Sequence, residues 1–371
     1  MNVIRYTLVL SIILSFSSCS KDDPDDGPEP PVPNQRPANL EEYNATTDGL
    51  KDYFSKDGYF EIGVAIEPSF VDNPGQVALM KRHFSSITAE NAMKWSSLQP
   101  TEGNFTFSNA DKIVNFAQAN TLKVRGHTLC WHQQVPDWIF RHNGGTASKE
   151  LVLERLRTHI TTVMNRYKGK VYAWDVVNEA IDDGGSVYRN SNWFSICGED
   201  YILEAFRAAR TADPAAKLFY NDYNATQTVK RDKIYALLQK LKAEGLVDGM
   251  GLQGHWTMDY PTNNLITNAI DLYRSLGIDI HITEMDVSIY SGSEAQTAYT
   301  TEIAQKQAAA YSRYFNLLRN NKNYISNVTF WGLADNHTWL DNHPVSGRKN
   351  YPLLFDTTLK PKSAYFEVIK F

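Results

Sequence analysis

The chain has 371 residues, 42% hydrophobic and 21% charged, which suits a soluble globular protein long enough for two ordinary domains or one large barrel. Its net charge is −5, and the run Lys21–Pro33 supplies −4 of that with five acids against one lysine. The remainder is nearly neutral, which excludes nucleic acid as a partner and favours an uncharged ligand, for which eight Trp and 20 Tyr offer flat apolar faces.

Residues 1–18 read as a lipoprotein signal peptide. Arg5 gives a positive start, and Thr7–Phe16 is a mostly apolar run too short to span a bilayer. Phe16-Ser17-Ser18-Cys19 resembles a bacterial lipobox, in which Cys19 would be lipidated and become the mature N-terminus. Cys19-Ser20-Lys21-Asp22-Asp23 is similar to the acidic tag of some Gram-negative surface lipoproteins. The expected location is therefore the outer membrane, at the cell surface, with membrane contact only through the lipid. Residues 19–39 form a disordered tether, because Lys21–Pro37 holds six of the 15 prolines among charges and almost no apolar residues. Residues 40–371 form the body, expected to be monomeric. Its two cysteines, Cys130 at a strand end and Cys197 in a loop before a helix, are expected as free thiols, with a bridge the alternative.

Within the body, β-branched runs alternate with stretches of helical periodicity. The predicted strands are Glu61–Ile66, Ser86–Ala89, Lys123–Thr128, Val171–Val177, Lys217–Tyr220, Gly249–Leu252, Asp279–Thr283 and Asn327–Phe330. Between them, Ser148–Tyr167 puts Leu151, Leu153, Leu156, Ile160, Val163 and Met164 on one side, with Ser148 as N-cap. Asp200–Ala212, Lys230–Glu244 and Thr301–Arg319 behave alike, and Gly245 and Gly277 mark helix ends. Eight strand–helix units predict an α/β fold, a single (β/α)8 TIM barrel with its site at the strands' C-terminal ends. An open doubly wound sheet would want a phosphate-binding turn after the first strand, and none is present.

Polar residues cluster just beyond these strands: Glu90, Asn91 and Lys94; His127, Trp131 and Gln134; Asn178 and Glu179; Gln253 and His255; Glu284 and Asp286; Trp331 and Trp339. On a barrel all of them share one rim. Two carboxylates facing each other there suit glycosidic cleavage, one giving a proton to the leaving oxygen while the other attacks or activates water. Placed about 5.5 Å apart at an effective dielectric near 20, two such charges interact by roughly 3 kcal/mol, about two pKa units. That shift would keep one of them protonated near neutral pH with no metal or other cofactor.

Trp174-Asp175-Val176-Val177-Asn178-Glu179-Ala180 and Ile282-Thr283-Glu284-Met285-Asp286 resemble the two catalytic signatures of glycoside hydrolase family 10, mainly endo-β-1,4-xylanases on a TIM barrel. Further matches are Glu90-Asn91-Ala92-Met93-Lys94-Trp95, Arg125-Gly126-His127-Thr128-Leu129, Trp131-His132-Gln133-Gln134-Val135-Pro136-Asp137-Trp138, Asn221-Asp222-Tyr223-Asn224, Gly251-Leu252-Gln253-Gly254-His255 and Trp331-Gly332-Leu333-Ala334-Asp335. The resemblance runs in order through Leu40–Phe371. It implies xylan and xylo-oligosaccharides as partners, Glu179 as acid/base and Glu284 as nucleophile in a retaining double displacement. Asn178 would bond the sugar 2-hydroxyl, and His255, backed by Asp286, would orient Glu284. Glu90, Asn91, Lys94, His127, Trp131, Gln134 and Gln253 would line the glycone side, Trp331 and Trp339 would roof the site, and Tyr223 would face the leaving group. The chain departs from the family pattern at Ala225-Thr226, where a Leu-Glu-like pair is common, at Gly254 for serine, at Leu340 for arginine and at Cys130 for valine.

Other patterns point elsewhere and lack their context. Gly249-Met250-Gly251-Leu252-Gln253-Gly254 fits a dinucleotide fingerprint by letter, but the following His255–Pro261 does not open a helix. His127 and His132 lack a third ligand at metal spacing. Two rivals stand beside the hydrolase: a surface glycan-binding lipoprotein, which needs no matched acid and nucleophile, and a retaining enzyme acting on β-glucan or β-1,3-xylan.

Overall fold

A computed structural model describes residues 36–371, so the expected signal peptide, Cys19 and all but the last residues of the tether lie outside the described chain. Eight parallel strands form the centre: β1 (Glu61–Ile66), β2 (Ser86–Ala89), β3 (Lys123–Cys130), β4 (Ala173–Asn178), β5 (Lys217–Asp222), β6 (Gly249–Leu252), β7 (Asp279–Ser288) and β8 (Ile325–Phe330). They neighbour one another in chain order, and β8 pairs with both β7 and β1. That closure makes a barrel and removes the open-sheet alternative. Seven helices follow strands as crossovers: α1 (Pro74–His83), α2 (Ser108–Ala119), α3 (Lys149–Tyr167), α4 (Asp200–Ala212), α5 (Thr228–Ala243), α6 (Asn263–Arg274) and α7 (Thr301–Asn320). The short α8 (Ser363–Val368) completes the ring.

The strands are buried along almost their whole length, as parallel strands covered by helices on one face and a packed interior on the other must be. Each helix turns one apolar stripe inward. On α3, Leu156, Ile160, Val163 and Met164 are fully enclosed, while Leu151 sits at the edge of the stripe. Ser148 caps α3 by accepting from the Leu151 N–H at 3.3 Å. Helices α5 and α6 end just ahead of Gly245 and Gly277.

Several strand and helix ends differ from expectation by a few residues, and two differences stand out. Strand β7 continues five residues past Thr283, because a short strand, His255–Thr257, pairs with its end through Asp286↔His255, Val287↔Trp256 and Ser288↔Thr257. Tertiary pairing extends the strand beyond its apolar run, and its register sets His255 beside Asp286. Cys197 closes a short helix, Asn192–Cys197, instead of lying in a loop; Ser191 caps that helix by accepting from the Phe194 N–H. Both Cys130 and Cys197 are buried and unpaired.

Residues 36–39, read from the sequence as the end of the tether, are held by the body. Pro37 is buried, and Asn39 accepts from the Glu42 N–H to cap the helix Leu40–Ala45. The Arg36 guanidinium bonds Asp57 and lies 3.7 Å from the centre of the Phe371 ring. Phe371 packs in turn on Phe54 and Tyr59, beside the start of β1. Both ends of the described chain therefore meet at the mouth where the strands begin.

Candidate active site

The opposite mouth, at the strands' C-terminal ends, opens into a cleft of about 730 Å³. Glu90, Asn91, Lys94, His127, Trp131, Gln134, Glu179, Tyr223, Gln253, His255, Glu284, Asp286, Trp331 and Trp339 all line it. Asn178 lies just beneath, buried at the end of β4. The structure thus brings the whole predicted set together.

Glu284 lies inside β7, 5% exposed, and three elements fix it. Its N–H donates to the Gln253 carbonyl at 2.7 Å. Its Oε1 accepts from Asn221 Nδ2 at 2.7 Å, and its Oε2 lies 3.2 Å from His255 Nε2. The other ring nitrogen of His255 lies 3.0 Å from Asp286 Oδ2, which also accepts from Trp339 Nε1 at 2.9 Å. Burial works against a charge on His255, but Asp286 and Glu284 outweigh it and push the imidazolium up to about 10. Burial likewise opposes the Glu284 charge, yet His127 and His255 hold its carboxyl below the usual range. Glu284 is consequently an anion aimed into the cleft, as a nucleophile requires.

Beneath it runs a buried polar axis. His127 Nδ1 lies 3.0 Å from Asp175 Oδ2 and 4.0 Å from Glu284 Oε1. Asp175 takes a two-point contact from Arg125, at 2.7 and 3.1 Å, and Arg125 Nε donates to His281 at 3.0 Å. Burial opposes the Asp175 charge, but Arg125 and His127 overcome it and hold this carboxyl low.

Glu179 is positioned differently. It directly follows β4 with φ +58°, a left-handed backbone that side-chain-bearing residues seldom adopt. Its Oε2 accepts from Trp131 Nε1 at 2.8 Å and its Oε1 from Gln253 Nε2 at 2.9 Å. His132 stands 4.0 Å from Oε2, and burial lowers its pKa to about 4, so that ring is neutral near pH 7. The two carboxylates are joined through amides: the Asn178 oxygen accepts from Asn221 at 2.9 Å and Gln253 at 3.2 Å, whose NH2 groups also serve Glu284 and Glu179. Gln253 therefore holds Glu179 by its side chain and Glu284 by its backbone carbonyl, and Trp131 touches Glu179 as well as edging the expected glycone side.

At that side, Lys94 Nζ donates to Asn91 Oδ1 at 3.1 Å, Gln134 Nε2 to the same oxygen at 3.2 Å, and Lys94 lies 4.8 Å from the centre of the Trp131 ring. Two residues that the sequence reading missed hold this group from behind. Glu67 accepts from Asn91 Nδ2, and His337 Nε2 lies 2.9 Å from Glu90 Oε2. Among the described residues, Glu67, Glu90 and His337 form the one group whose ligand atoms, all within 4.8 Å of one another, could hold a metal ion. Asn91 and the His337–Glu90 contact already occupy those atoms. Trp331 meets the His127 ring edge-on at 5.1 Å, and Trp339 lies 4.8 Å from the His255 ring. Also missed were Asn221, Asp175 and Arg125, which lie within quoted motifs, and Arg189, which lies in none; burial and partner geometry, which give them their roles, are three-dimensional.

One departure from the family pattern, at Gly254, has a structural reason. Gly254 has φ +81°, and a Cβ there would meet Ile282 Cγ2 at 2.7 Å. At Gly251 a Cβ would fall 2.3 Å from Asn221 Oδ1. The spurious dinucleotide fingerprint thus contains glycines that let β6 approach the residue holding Glu284.

Comparison with known proteins agrees with this geometry. The profile of glycosyl hydrolase family 10 matches residues 49–371. Endo-1,4-beta-xylanase B of Paenibacillus barcinonensis is 47% identical over 316 residues, covering 84% of this chain and 95% of the relative. The endo-1,4-beta-xylanase of Geobacillus stearothermophilus is 46% identical over 326 residues, covering 86% and 97%. The crystal structure of xylanase XynB from Paenibacillus barcinonensis, in complex with a conduramine derivative, superposes with a TM-score of 0.83 at 46% identity, covering 86% of this chain and 98% of that one. With a closed barrel, two carboxylates at the ends of β4 and within β7, and similarity along nearly the whole body, the chain belongs to glycosyl hydrolase family 10.

Proposed function

We propose that this protein cleaves internal β-1,4-xylosidic bonds of xylan by double displacement, with Glu179 as acid/base and Glu284 as nucleophile. The observation that supports these roles is the contrast between the two carboxylates in one cleft, one anionic among imidazoles and the other reached by uncharged donors. Glu284 attacks the anomeric carbon while the glycosidic C–O bond breaks, and Glu179 gives its proton to the departing oxygen. Glu179, now a carboxylate, takes a proton from water, which attacks the same carbon and frees Glu284, so configuration is retained. Asn178, in the amide chain between them, would bond the sugar 2-hydroxyl, a contact that strengthens in the transition state.

The test follows reducing ends and product lengths from β-1,4-xylan with the full chain and its Glu284→Ala variant, beside soluble β-glucan and β-1,3-xylan. Short xylo-oligomers from the parent alone support the reading. Binding without cleavage by the parent moves it to a glycan-capture protein, and faster release from either other polymer changes the substrate. The proposal includes export and lipid anchoring through Cys19, supported by the lipobox-like Phe16–Cys19. Cys19→Ala should move the protein from the membrane fraction to the soluble one.

A further inference from the structure

Glu179 combines two demands that oppose each other. Its backbone is in the left-handed region, so it relaxes unless its neighbours hold it. Its carboxyl must nevertheless stay aligned with a leaving oxygen to within a fraction of an ångström. Trp131 and Gln253 restrain the carboxyl itself. The backbone is gripped from elsewhere. Its N–H donates to the Asn221 carbonyl at 2.9 Å, and the next two N–H groups, of Ala180 and Ile181, donate to the buried Tyr220 hydroxyl at 3.0 and 3.1 Å. The remaining group, the Glu179 carbonyl, accepts from Arg189 Nε at 2.8 Å.

Arg189 is more than a cap on that carbonyl. Its own N–H donates to the Ala180 carbonyl at 2.8 Å, closing the loop that leaves Glu179. The neighbouring Nη2 of its guanidinium donates to the Tyr223 hydroxyl at 2.7 Å, with Ile181 O and Asp183 Oδ2 each at 3.4 Å. Tyr223 donates its proton to Asp183, and Lys230 Nζ sits 3.6 Å from the centre of its ring. Arg189 and Tyr223 both line the cleft. One rigid, planar group therefore holds the acid/base backbone through Nε and the leaving-side aromatic through Nη2, a fixed pair of donors the single ammonium of lysine cannot reproduce.

We propose that Arg189 is a positioning residue that locks the proton-donating turn of Glu179 to the leaving-group platform at Tyr223. A leaving sugar seated on Tyr223 then bears on the same guanidinium that fixes the Glu179 carbonyl, so occupancy of that subsite and alignment of the acid are mechanically one event. The proposal rests on the acid/base reading of Glu179.

The test compares the full chain with Arg189→Met and Arg189→Lys on two substrates: a xylo-oligosaccharide, whose sugar leaving group needs the proton, and 2,4-dinitrophenyl β-xylobioside, whose phenolate does not. Both variants should lose about 10- to 100-fold in kcat/KM on the oligosaccharide and less than about threefold in the glycosylation step of the dinitrophenyl substrate. Equal losses on the two substrates, or none on the oligosaccharide, overturn the proposal, since general loosening of the site would not discriminate between leaving groups. If Arg189→Met fails to fold, Tyr223→Phe removes only the hydroxyl that the guanidinium grips, and the same preferential loss is expected at smaller size; equal effects there also overturn it. Glu179→Gln is run in parallel. If that variant shows no leaving-group dependence, the acid/base reading fails; if it does while the Arg189 variants do not, Arg189 alone is excluded.

Discussion

The two carboxylates proposed as the catalytic pair are built on opposite principles. Around Glu284 the scaffold is a continuous strand, and the partners, His255 and His127, favour negative charge. Around Glu179 the scaffold is a left-handed turn past a strand end, and the groups touching its carboxyl are an indole, an amide and a nearby neutral imidazole. A nucleophile keeps one charge state until it reacts, so cations can be committed to it. An acid/base must pass a proton out and back, and fixed cations beside it would bind one of its two states too well. Rigidity at Glu179 is therefore supplied through the backbone, and charge at Glu284 through the side chain.

That contrast can be broken from either side. The largest effect is expected for Glu284→Ala, a loss of turnover on the order of 10⁵-fold on every substrate, with xylo-oligosaccharide binding still measurable by calorimetry. Next comes Glu179→Ala, with about 10²- to 10⁴-fold loss on xylan and far less on substrates with good leaving groups, read from pre-steady-state kinetics. Asp286→Asn removes the anion behind His255 and should cost on the order of 10²-fold in kcat as Glu284 loses its alignment. It also sharpens the electrostatic half of the comparison. The ordinary histidine pKa is near 6.5, and the folded value is about 10, so His255 stabilises the fold fully below about pH 6.5 and loses that contribution as pH rises through about 10. Melting temperature against pH should show this alkaline loss in the parent, and Asp286→Asn should bring it to lower pH.

Gly251→Ala tests the packing under Glu284. The added methyl displaces Asn221 and should cost roughly 1–3 kcal/mol of stability in denaturant unfolding, with a smaller fall in kcat than Asp286→Asn. The smallest effect belongs to Ser148→Ala, about 1 kcal/mol from the lost cap of α3 with kcat unchanged. A change in kcat there would mean that helix stability reaches the cleft.

Much of this was legible in the residues. Strands β1, β2 and β6 and the cap at Ser148 follow from local patterning, because parallel strands and helix N-termini carry short-range signals. The motifs place Glu179 and Glu284 on one rim. What sequence could not carry is whatever depends on pairing across the barrel. The five added residues of β7 exist because His255–Thr257 pairs with them. His337 reaches Glu90 across 247 positions of chain, and Arg125 meets His281 across 156, with no local signal for either. Gly251 reads as part of a nucleotide fingerprint until Asn221 is seen pressed against it.

The clasp of Arg36 and Phe371 has a consequence for how a polymer reaches this protein. Both ends of the described chain lie at the mouth where the strands begin, and the cleft opens at the mouth where they end. Arg36 and Phe371 thus lie on the side of the barrel turned away from Glu179 and Glu284. A xylan chain entering the cleft therefore meets neither Arg36 nor Phe371.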